Sequence, residues 1–248
     1  MTAILGGIEL GVQSYCFRKF SNEQIVDALA VCGLQRLEIC KVHFNIEVDN
    51  DPDRLLDLYR SHGISFNSYG INAFENDEAK ARALFEFAAK AGVSIIGAKP
   101  SPDAYDMLGR LCDEYSIKLA IHNHGKKDQL YGTCAQLEAA LAKAPESIGL
   151  CLDTGWLIDA GEDPVAAVQR FAGRVYGVHF KDFAYSESGE RLEAVLGEGS
   201  LDVAGVVRAL KQTGFSGYAS IEYEGEPNDP VPNIKRCVDV LVLTDKQV

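Results

Sequence analysis

The stretch IELGVQSYCFRKFS, residues 8–21, distinguishes between the two common architectures of alternating strands and helices. Its apolar first half is typical of a buried strand in a parallel sheet. An open doubly wound sheet would place a glycine-rich phosphate-binding turn directly after this strand. The chain continues instead with SYCFRKFS, residues 14–21, which contains no glycine. The stretch therefore favours a closed (β/α)8 TIM barrel, an α/β fold, over the open sheet.

Seven further apolar runs follow along the chain and alternate with helical patterns. They are RLEIC, ISFNSYG, VSIIGAKP, IKLAIHNH, IGLCLDTG, RVYGVHF and YASIEYE. Eight strand–helix units of roughly 30 residues match the ~250 residues that are typical of such a barrel. The chain has 248 residues and no linker-like or low-complexity tract, so the sequence predicts a single TIM-barrel domain over residues 1–248.

Residues that begin and end helices support this alternation. Ser21 with Gln24, and Thr133 with Gln136, have the spacing of capping boxes. Prolines stand at predicted helix starts and glycines at predicted helix ends, namely Pro52, Pro102, Pro164, Gly33, Gly63 and Gly92. The segment LGEGSLD predicts a turn that leads to a helix cap at Asp202 rather than a phosphate-binding loop.

Composition narrows the class of partner. The formal net charge is -12, and no cluster of Lys and Arg suggests an electrostatic interaction with nucleic acid or an anionic membrane. No stretch approaches the ~20 apolar residues of a membrane span, and no basic segment precedes an apolar one at the amino terminus. Seven cysteines without CxxC spacing are typical of reduced core thiols. The sequence predicts a cytoplasmic protein that acts on a small molecule.

Polar side chains end four successive predicted strands. His122 and His124 end the fifth strand, Asp153 the sixth, His179 the seventh and Glu222 the eighth. Because the carboxyl ends of barrel strands converge on one mouth, we expect these side chains to lie close together. Two imidazoles and two carboxylates suit one divalent metal ion, for which Mn, Zn, Co, Fe and Mg all remain candidates and the first four fit better than Mg. Alternation places His122 and His124 on the same side, so either is a candidate ligand, and we favour His122.

Polar residues at other predicted strand ends, and one aromatic residue, are candidates for binding a hydroxyl-rich substrate. They are Gln13 and Tyr15 on the first strand, Glu38 on the second, Asn67 on the third, Lys99 on the fourth, and Trp156 after the sixth. The indole of Trp156 offers a flat face for a sugar ring. The alternative is structural pairing, of Glu38 with Lys99 and of Lys181 with Asp182 or Glu224.

Over essentially its full length the chain resembles the xylose-isomerase-like TIM barrels, the sugar phosphate isomerase/epimerase superfamily. The segments that carry the resemblance are GVQSYCFRKFS, LAIHNHG, IGLCLDTGWLIDAGEDP, RVYGVHFKD, LGEGSLD and ASIEYEGEPNDP. This superfamily includes inosose dehydratases, keto-sugar epimerases, 3-keto-glycoside lyases and endonuclease IV. The resemblance implies that His122, Asp153, His179 and Glu222 bind the metal.

The chain departs from the epimerases that it resembles at three places. Those epimerases have Glu where His122 stands and His where Trp156 stands. They also have Arg shortly after the position of His179, where the nearest cation here is Lys181. Of the two metal-bound glutamates that move the proton in those epimerases, only Glu222 is present.

The resemblance implies a metal-dependent isomerase or epimerase that acts on a keto sugar or related carbohydrate through a metal-stabilised enediolate. Glu222 or His124 would be the base, and Lys181 would stabilise the enediolate charge. A lyase or dehydratase on a keto sugar, 3-keto-glycoside or inosose is the alternative, and a noncatalytic or partner-dependent sugar-binding barrel is a further one. Five histidines and the charge of -12 argue against a DNA-repair endonuclease. The expected partner is a small carbohydrate, and the sequence is compatible with a homo-oligomer.

Overall fold

Eight parallel strands close into a barrel in this computed structural model, which describes residues 3–248. The strands are β1 (Ile8–Gln13), β2 (Arg36–Ile39), β3 (Ser65–Phe74), β4 (Ile95–Pro100), β5 (Lys118–His122), β6 (Ile148–Asp153), β7 (Val175–Phe180) and β8 (Tyr218–Ile221). Each pairs with the next along the chain, and β8 pairs back with β1, where Ala219 lies opposite Leu10. The predicted (β/α)8 TIM barrel is confirmed.

Helices follow the strands and cover the outside of the barrel. They are α1 (Asn22–Cys32), α2 (Pro52–Ser61), α3 (Glu78–Ala91), α4 (Tyr105–Tyr115), α5 (Cys134–Leu141), α6 (Thr154–Asp159), α7 (Pro164–Arg170), α8 (Val203–Gln212) and α9 (Val231–Asp245). Short 3-10 helices span Ser14–Phe17 and Pro102–Ala104. Between residues 3 and 248, no helix combines the length and apolarity needed to cross a bilayer.

Most of the predicted capping residues begin or end these helices, whereas Pro102 starts the 3-10 helix before α4 and Gly63 follows His62, the cap of α2. Ser21 and Thr133 form capping boxes at the starts of α1 and α5. Gly33 and Gly92 end α1 and α3 with φ of 71° and 77°, which glycine adopts without steric cost. Asp202 caps α8 by accepting a hydrogen bond of 2.8 Å from the Gly205 N–H. Local sequence and tertiary fold therefore agree at these boundaries.

The core lies between the strands and the helices that cover them. The strand β6 is buried along its whole length, as expected of a parallel strand that is covered on both faces. All seven cysteines are buried free thiols. Burial raises the pKa of the Cys32 thiol to about 11, so the thiol stays protonated at neutral pH.

An antiparallel hairpin follows β7 directly and was not predicted from the sequence. It pairs Asp182–Tyr185 with Arg191–Ala194, and we call it the β7 hairpin. Its first residue, Asp182, accepts hydrogen bonds from the backbone N–H groups of Gly197 (2.9 Å), Gly199 (3.1 Å), Ser200 (2.8 Å) and Leu201 (2.9 Å). A side chain at Gly199 would place its Cβ 2.4 Å from Asp182 Oδ1. This close approach requires glycine, and it fixes the base of the hairpin to the following loop.

Candidate active site

Four buried side chains from β5 to β8 meet at the carboxyl-end mouth of the barrel. His122 ends β5, Asp153 ends β6, His179 lies in β7 and Glu222 directly follows β8. One potential ligand atom from each of these residues lies within 4.8 Å of the others. We call these residues the four-residue group. His124 lies outside it.

Two atoms of the four-residue group have no hydrogen-bond partner among the described residues. They are His122 Nε2 and Asp153 Oδ2, which lie 3.5 Å apart. His122 Nε2 is also 3.9 Å from Glu222 Oε2. A buried polar atom without a partner costs about 1–3 kcal/mol, so a folded protein normally gives it one. A divalent cation would satisfy both atoms, and two imidazoles with two carboxylates are a common ligand set for such ions. The residues present therefore fit a metal ion.

The charge states of this group also suit a cation. Burial, followed by the neighbouring His179, lowers the pKa of His122 to about 3, so its ring is neutral and has a free lone pair. Burial and the nearby Glu222 carboxylate raise the pKa of Asp153 well above its usual value. The neutral ring of His122 can donate its lone pair to a cation, and a cation beside Asp153 would offset the repulsion from Glu222 that raises the pKa of Asp153.

Glu38 supports His179 from below the mouth. Glu38 Oε2 lies 2.7 Å from His179 Nε2, while His179 Nδ1 lies 2.7 Å from Glu222 Oε2. The Tyr218 hydroxyl donates to Glu38 Oε1 over 3.2 Å. A hydrogen bond from the Nε2–H of His179 to Glu38 would leave Nδ1 as the nitrogen that faces the group. Glu38 is 0% exposed, so its predicted contact with substrate is replaced by support of His179.

Two other predicted substrate contacts, Asn67 and Lys99, have partners that the sequence did not predict. Asn67 is the third residue of β3 rather than its last, because the strand continues to Phe74. Its amide donates to Ser220 Oγ over 3.2 Å, away from the carboxyl end of its strand. Lys99 lies near the end of β4 with its side chain 45% exposed, and it pairs with Asp128 Oδ2 at 2.5 Å. The suggested pair of Glu38 with Lys99 is therefore wrong.

Gln13 and Tyr15 both lie where β1 leads into its 3-10 helix. Gln13 is buried, and its side chain donates to the Gly70 carbonyl over 3.1 Å and accepts from the Tyr15 N–H over 3.2 Å. These bonds hold the end of β1 in place. Tyr15 is 37% exposed, with the Arg18 guanidinium 5.2 Å from its ring. Tyr15 remains free to contact a ligand, whereas both ends of the Gln13 side chain are occupied.

Aromatic and cationic side chains form one wall of the mouth around Trp156. His124 is exposed, and its ring lies against the indole at a tilt of 35°, with 4.2 Å between ring centroids. The Arg191 guanidinium of the β7 hairpin lies 4.2 Å from the same indole and 3.3 Å from Asp159 Oδ1. Partial desolvation against these neighbours, and then His122, lowers the pKa of His124 below 6.5. At neutral pH His124 is therefore an unprotonated imidazole that can accept a proton.

Lys181 is a buried cation among carboxylates. Its Nζ pairs with Glu224 and lies 3.9 Å from both Glu222 Oε1 and Glu193 Oε1. Burial alone would lower the pKa of Lys181, but the carboxylates of Glu222, Asp153 and Glu224 raise it above its usual value. Lys181 therefore stays charged. Of the two predicted pairings, the one with Glu224 is found, and Asp182 binds backbone N–H groups instead.

Two residues of the mouth, Arg191 and Glu193, were not predicted from the sequence, because both lie on the β7 hairpin. The signal was present in the segment YSESGER, residues 185–191, which places turn residues between two short runs. Gly189 has a φ of 79° in this turn. Such a turn between alternating runs is typical of a hairpin. The strong apolar run of β7 predicts a strand that ends before this turn, so the hairpin was not recognised.

A family profile described as xylose isomerase-like TIM barrel matches residues 26–242 of this chain. An inosose dehydratase from Lacticaseibacillus casei is 26% identical over 141 residues, which cover 49% of this chain and 45% of that protein. The chain thus spans about half the length of that relative.

Two solved structures share the fold. The probable 3-DHS dehydratase AsbF from Bacillus anthracis superposes with a TM-score of 0.76 at 16% identity, over 94% of this chain and 98% of that chain. The IolI protein, solved with a bound zinc atom, superposes with a TM-score of 0.71 at 19% identity, over 96% of this chain and 95% of that chain.

Proposed function

Because this chain belongs to the xylose isomerase-like TIM barrel family, we propose that it is a metal-dependent carbohydrate enzyme, specifically a dehydratase acting on a keto sugar or inosose. The observation that carries the proposal is the four-residue group with its two unpartnered atoms, His122 Nε2 and Asp153 Oδ2. The inosose dehydratase among its relatives supports the substrate class. The zinc bound to IolI supports a divalent metal.

His122, Asp153, His179 and Glu222 would hold the ion. A divalent cation held there would supply a Lewis acid for negative charge that develops on the carbonyl oxygen of the substrate. The chain's own residues then do the rest. Glu222 or His124 accepts the proton, and the fixed charge of Lys181 offsets the developing negative charge. The Trp156 indole, which is in contact with His124 and Arg191, excludes water from one side of the mouth.

The available bases favour dehydration over epimerisation. An epimerase needs an acid or base on each face of the substrate carbon, and His122, neutral and buried, stands where a second glutamate would serve this purpose. Elimination of water needs one base for the proton and one acid for the departing hydroxyl. Isomerisation or epimerisation is the second candidate, because the exposed His124 lies beside the four-residue group and would return a proton from another direction.

The test is solvent deuterium uptake by the Mn²⁺-loaded protein with a panel of inososes, keto sugars and 3-keto-glycosides. We expect deuterium next to the carbonyl, and loss of one water from at least one inosose or keto sugar, because both steps share the enediolate. Mass spectrometry and proton NMR measure both. Chelator-treated protein is the control. Absence of exchange across the panel, with the metal shown to be bound, would move the assignment to a noncatalytic or partner-dependent barrel.

Glu38→Gln is expected to weaken metal binding by about 10–100-fold, because residues that orient a metal-bound histidine commonly have effects of this size. The glutamine keeps the shape but loses the charge that holds the Nε2–H of His179. Competition with a coloured chelator measures the affinity. Tyr218→Phe, which removes a hydrogen bond to Glu38 and leaves the Glu38 side chain in place, is the matched control with a smaller effect. Unchanged affinity in Glu38→Gln would contradict this role.

A further inference from the structure

The β7 hairpin brings a second carboxyl group to the mouth. Glu193 lies opposite Phe183 in the hairpin, and side chains paired across an antiparallel ladder point to the same face. Phe183 packs edge-on against Trp156 with 5.4 Å between ring centroids, so this face is turned toward the mouth. Arg191, two residues before Glu193, shares the face and contacts the same indole.

Glu193 is held beside the four-residue group on its open side. Its Oε1 lies 3.9 Å from Lys181 Nζ, which is equally far from Glu222 Oε1. Its Oε2 accepts the backbone N–H of Glu224 over 3.3 Å. The side chain is 24% exposed, whereas Lys181 is buried. Glu193 is therefore positioned by the protein and still open to a molecule in the mouth.

The surroundings of Glu193 also favour a carboxyl group that carries a proton. Burial raises its pKa to about 7, and the nearby carboxylates of Glu224 and Asp153 act in the same direction, while Lys181 opposes them. An acid whose pKa lies near the working pH donates a proton efficiently and is readily reprotonated. The proposed dehydration requires such a donor, and neither the buried His122 nor the permanently charged Lys181 is one.

We propose that Glu193 is the general acid of the dehydration and protonates the departing β-hydroxyl group of a keto-polyol. This inference rests on the proposed function. In the first step the C–H bond next to the carbonyl breaks, its proton passes to the base, and its electron pair enters the enediolate. In the second step the β C–O bond breaks and takes its electron pair to the hydroxyl, which leaves as water with the proton of Glu193. The enediolate pair forms the new carbon–carbon double bond, and Glu193 and the base return to their starting states by exchange with solvent.

The experiment separates the two steps in the full-length Mn²⁺-loaded protein with an inosose as the probe. Glu193→Gln keeps the size and the hydrogen bond from Glu224 but has no acidic proton. Glu190→Gln, on the exposed turn of the same hairpin, is the matched control. Water loss and deuterium exchange next to the carbonyl are measured for both variants, and elemental analysis measures their metal content. A second probe carries fluorine in place of the β-hydroxyl, since fluoride leaves without a proton.

We expect Glu193→Gln to lose water about 10²–10³-fold more slowly than the wild type, which is the usual contribution of a general acid. Its deuterium exchange, its release of fluoride and its metal content should stay close to wild-type values, as should all properties of Glu190→Gln. Two results for Glu193→Gln would overturn the role of Glu193. One is an unchanged rate of water loss, and the other is an equal slowing of water loss from the hydroxyl probe and of fluoride release from the fluoro probe. If the wild-type protein itself exchanges deuterium but loses no water, the role of Glu193 is overturned as well, whereas the enediolate step still stands. Absence of both reactions in the wild type would overturn the proposed function and this inference together.

Discussion

Asp153→Asn is expected to remove stoichiometric metal from the purified protein while leaving the barrel folded. The two carboxylate oxygens of Asp153 have separate tasks. Oδ1 caps α6 by accepting the Trp156 N–H over 2.8 Å, and Oδ2 is the unpartnered atom that faces His122. Asparagine caps helices as well as aspartate does, but it is neutral and a poor metal ligand. We expect metal affinity to fall by more than about 100-fold, beyond the effect of losing a supporting residue.

Elemental analysis after gel filtration measures the bound metal, and thermal unfolding measures the fold. Asp163→Asn is the matched control, because Asp163 caps α7 through the Val165 N–H and lies outside the four-residue group. It should retain full metal. Full metal occupancy in Asp153→Asn would contradict the assignment of the site. A variant that is both unfolded and free of metal would show that the cap, rather than the ligand, was lost.

Lys181→Met is expected to lower the free energy of unfolding of the metal-free protein by about 3–5 kcal/mol, the cost of breaking a buried charge pair from one side. Lys181 is buried, and without its ammonium group the carboxylates of Glu222 and Glu224 lose the cation that they share. The metal-loaded variant should also turn over more slowly, because Lys181 offsets enediolate charge in the proposed reaction. Urea denaturation after chelation and a turnover assay measure the two effects.

Two comparisons make this prediction specific. Lys181→Met combined with Glu224→Gln should recover part of the lost stability, because the second change removes one uncompensated charge. Lys211→Met, which breaks the partly exposed pair with Asp245, should cost only about 0–1 kcal/mol. Equal losses for Lys181→Met and Lys211→Met would contradict the buried-charge argument. Unchanged turnover in Lys181→Met would exclude its catalytic role.

The parts of the site that could be predicted from the sequence are those that depend only on strand order. Four successive strands each place one potential ligand at the carboxyl end, and barrel closure then brings His122, Asp153, His179 and Glu222 together. Side-chain direction mattered only on the fifth strand, where alternation left both His122 and His124 as candidate ligands. The register within each strand was harder, because an apolar run does not show where pairing stops. Asn67 was therefore placed at the end of β3, although the strand continues to Phe74.

Other features depend on contacts between distant residues, and sequence patterns do not show these. Glu38 turns toward His179 rather than the mouth, across a sequence separation of 141 residues. Lys99 finds its partner Asp128 in the loop after β5 rather than on a neighbouring strand. The β7 hairpin has short, weakly apolar strands, and its anchoring residue Asp182 is held by a loop that follows it by about 15 residues. Tertiary contacts override local signals in each of these cases.

The binding of Asp182 by four backbone N–H groups has a thermodynamic consequence for the mouth. Because the base of the hairpin is held by the protein, Arg191 and Glu193 start from ordered positions, and a ligand does not have to immobilise them. Each rotamer-rich side chain that is ordered on binding commonly costs about 0.5–1.5 kcal/mol of affinity. In this barrel the conformational entropy of these side chains is lost when the chain folds. More of the free energy of substrate binding can therefore stabilise the transition state.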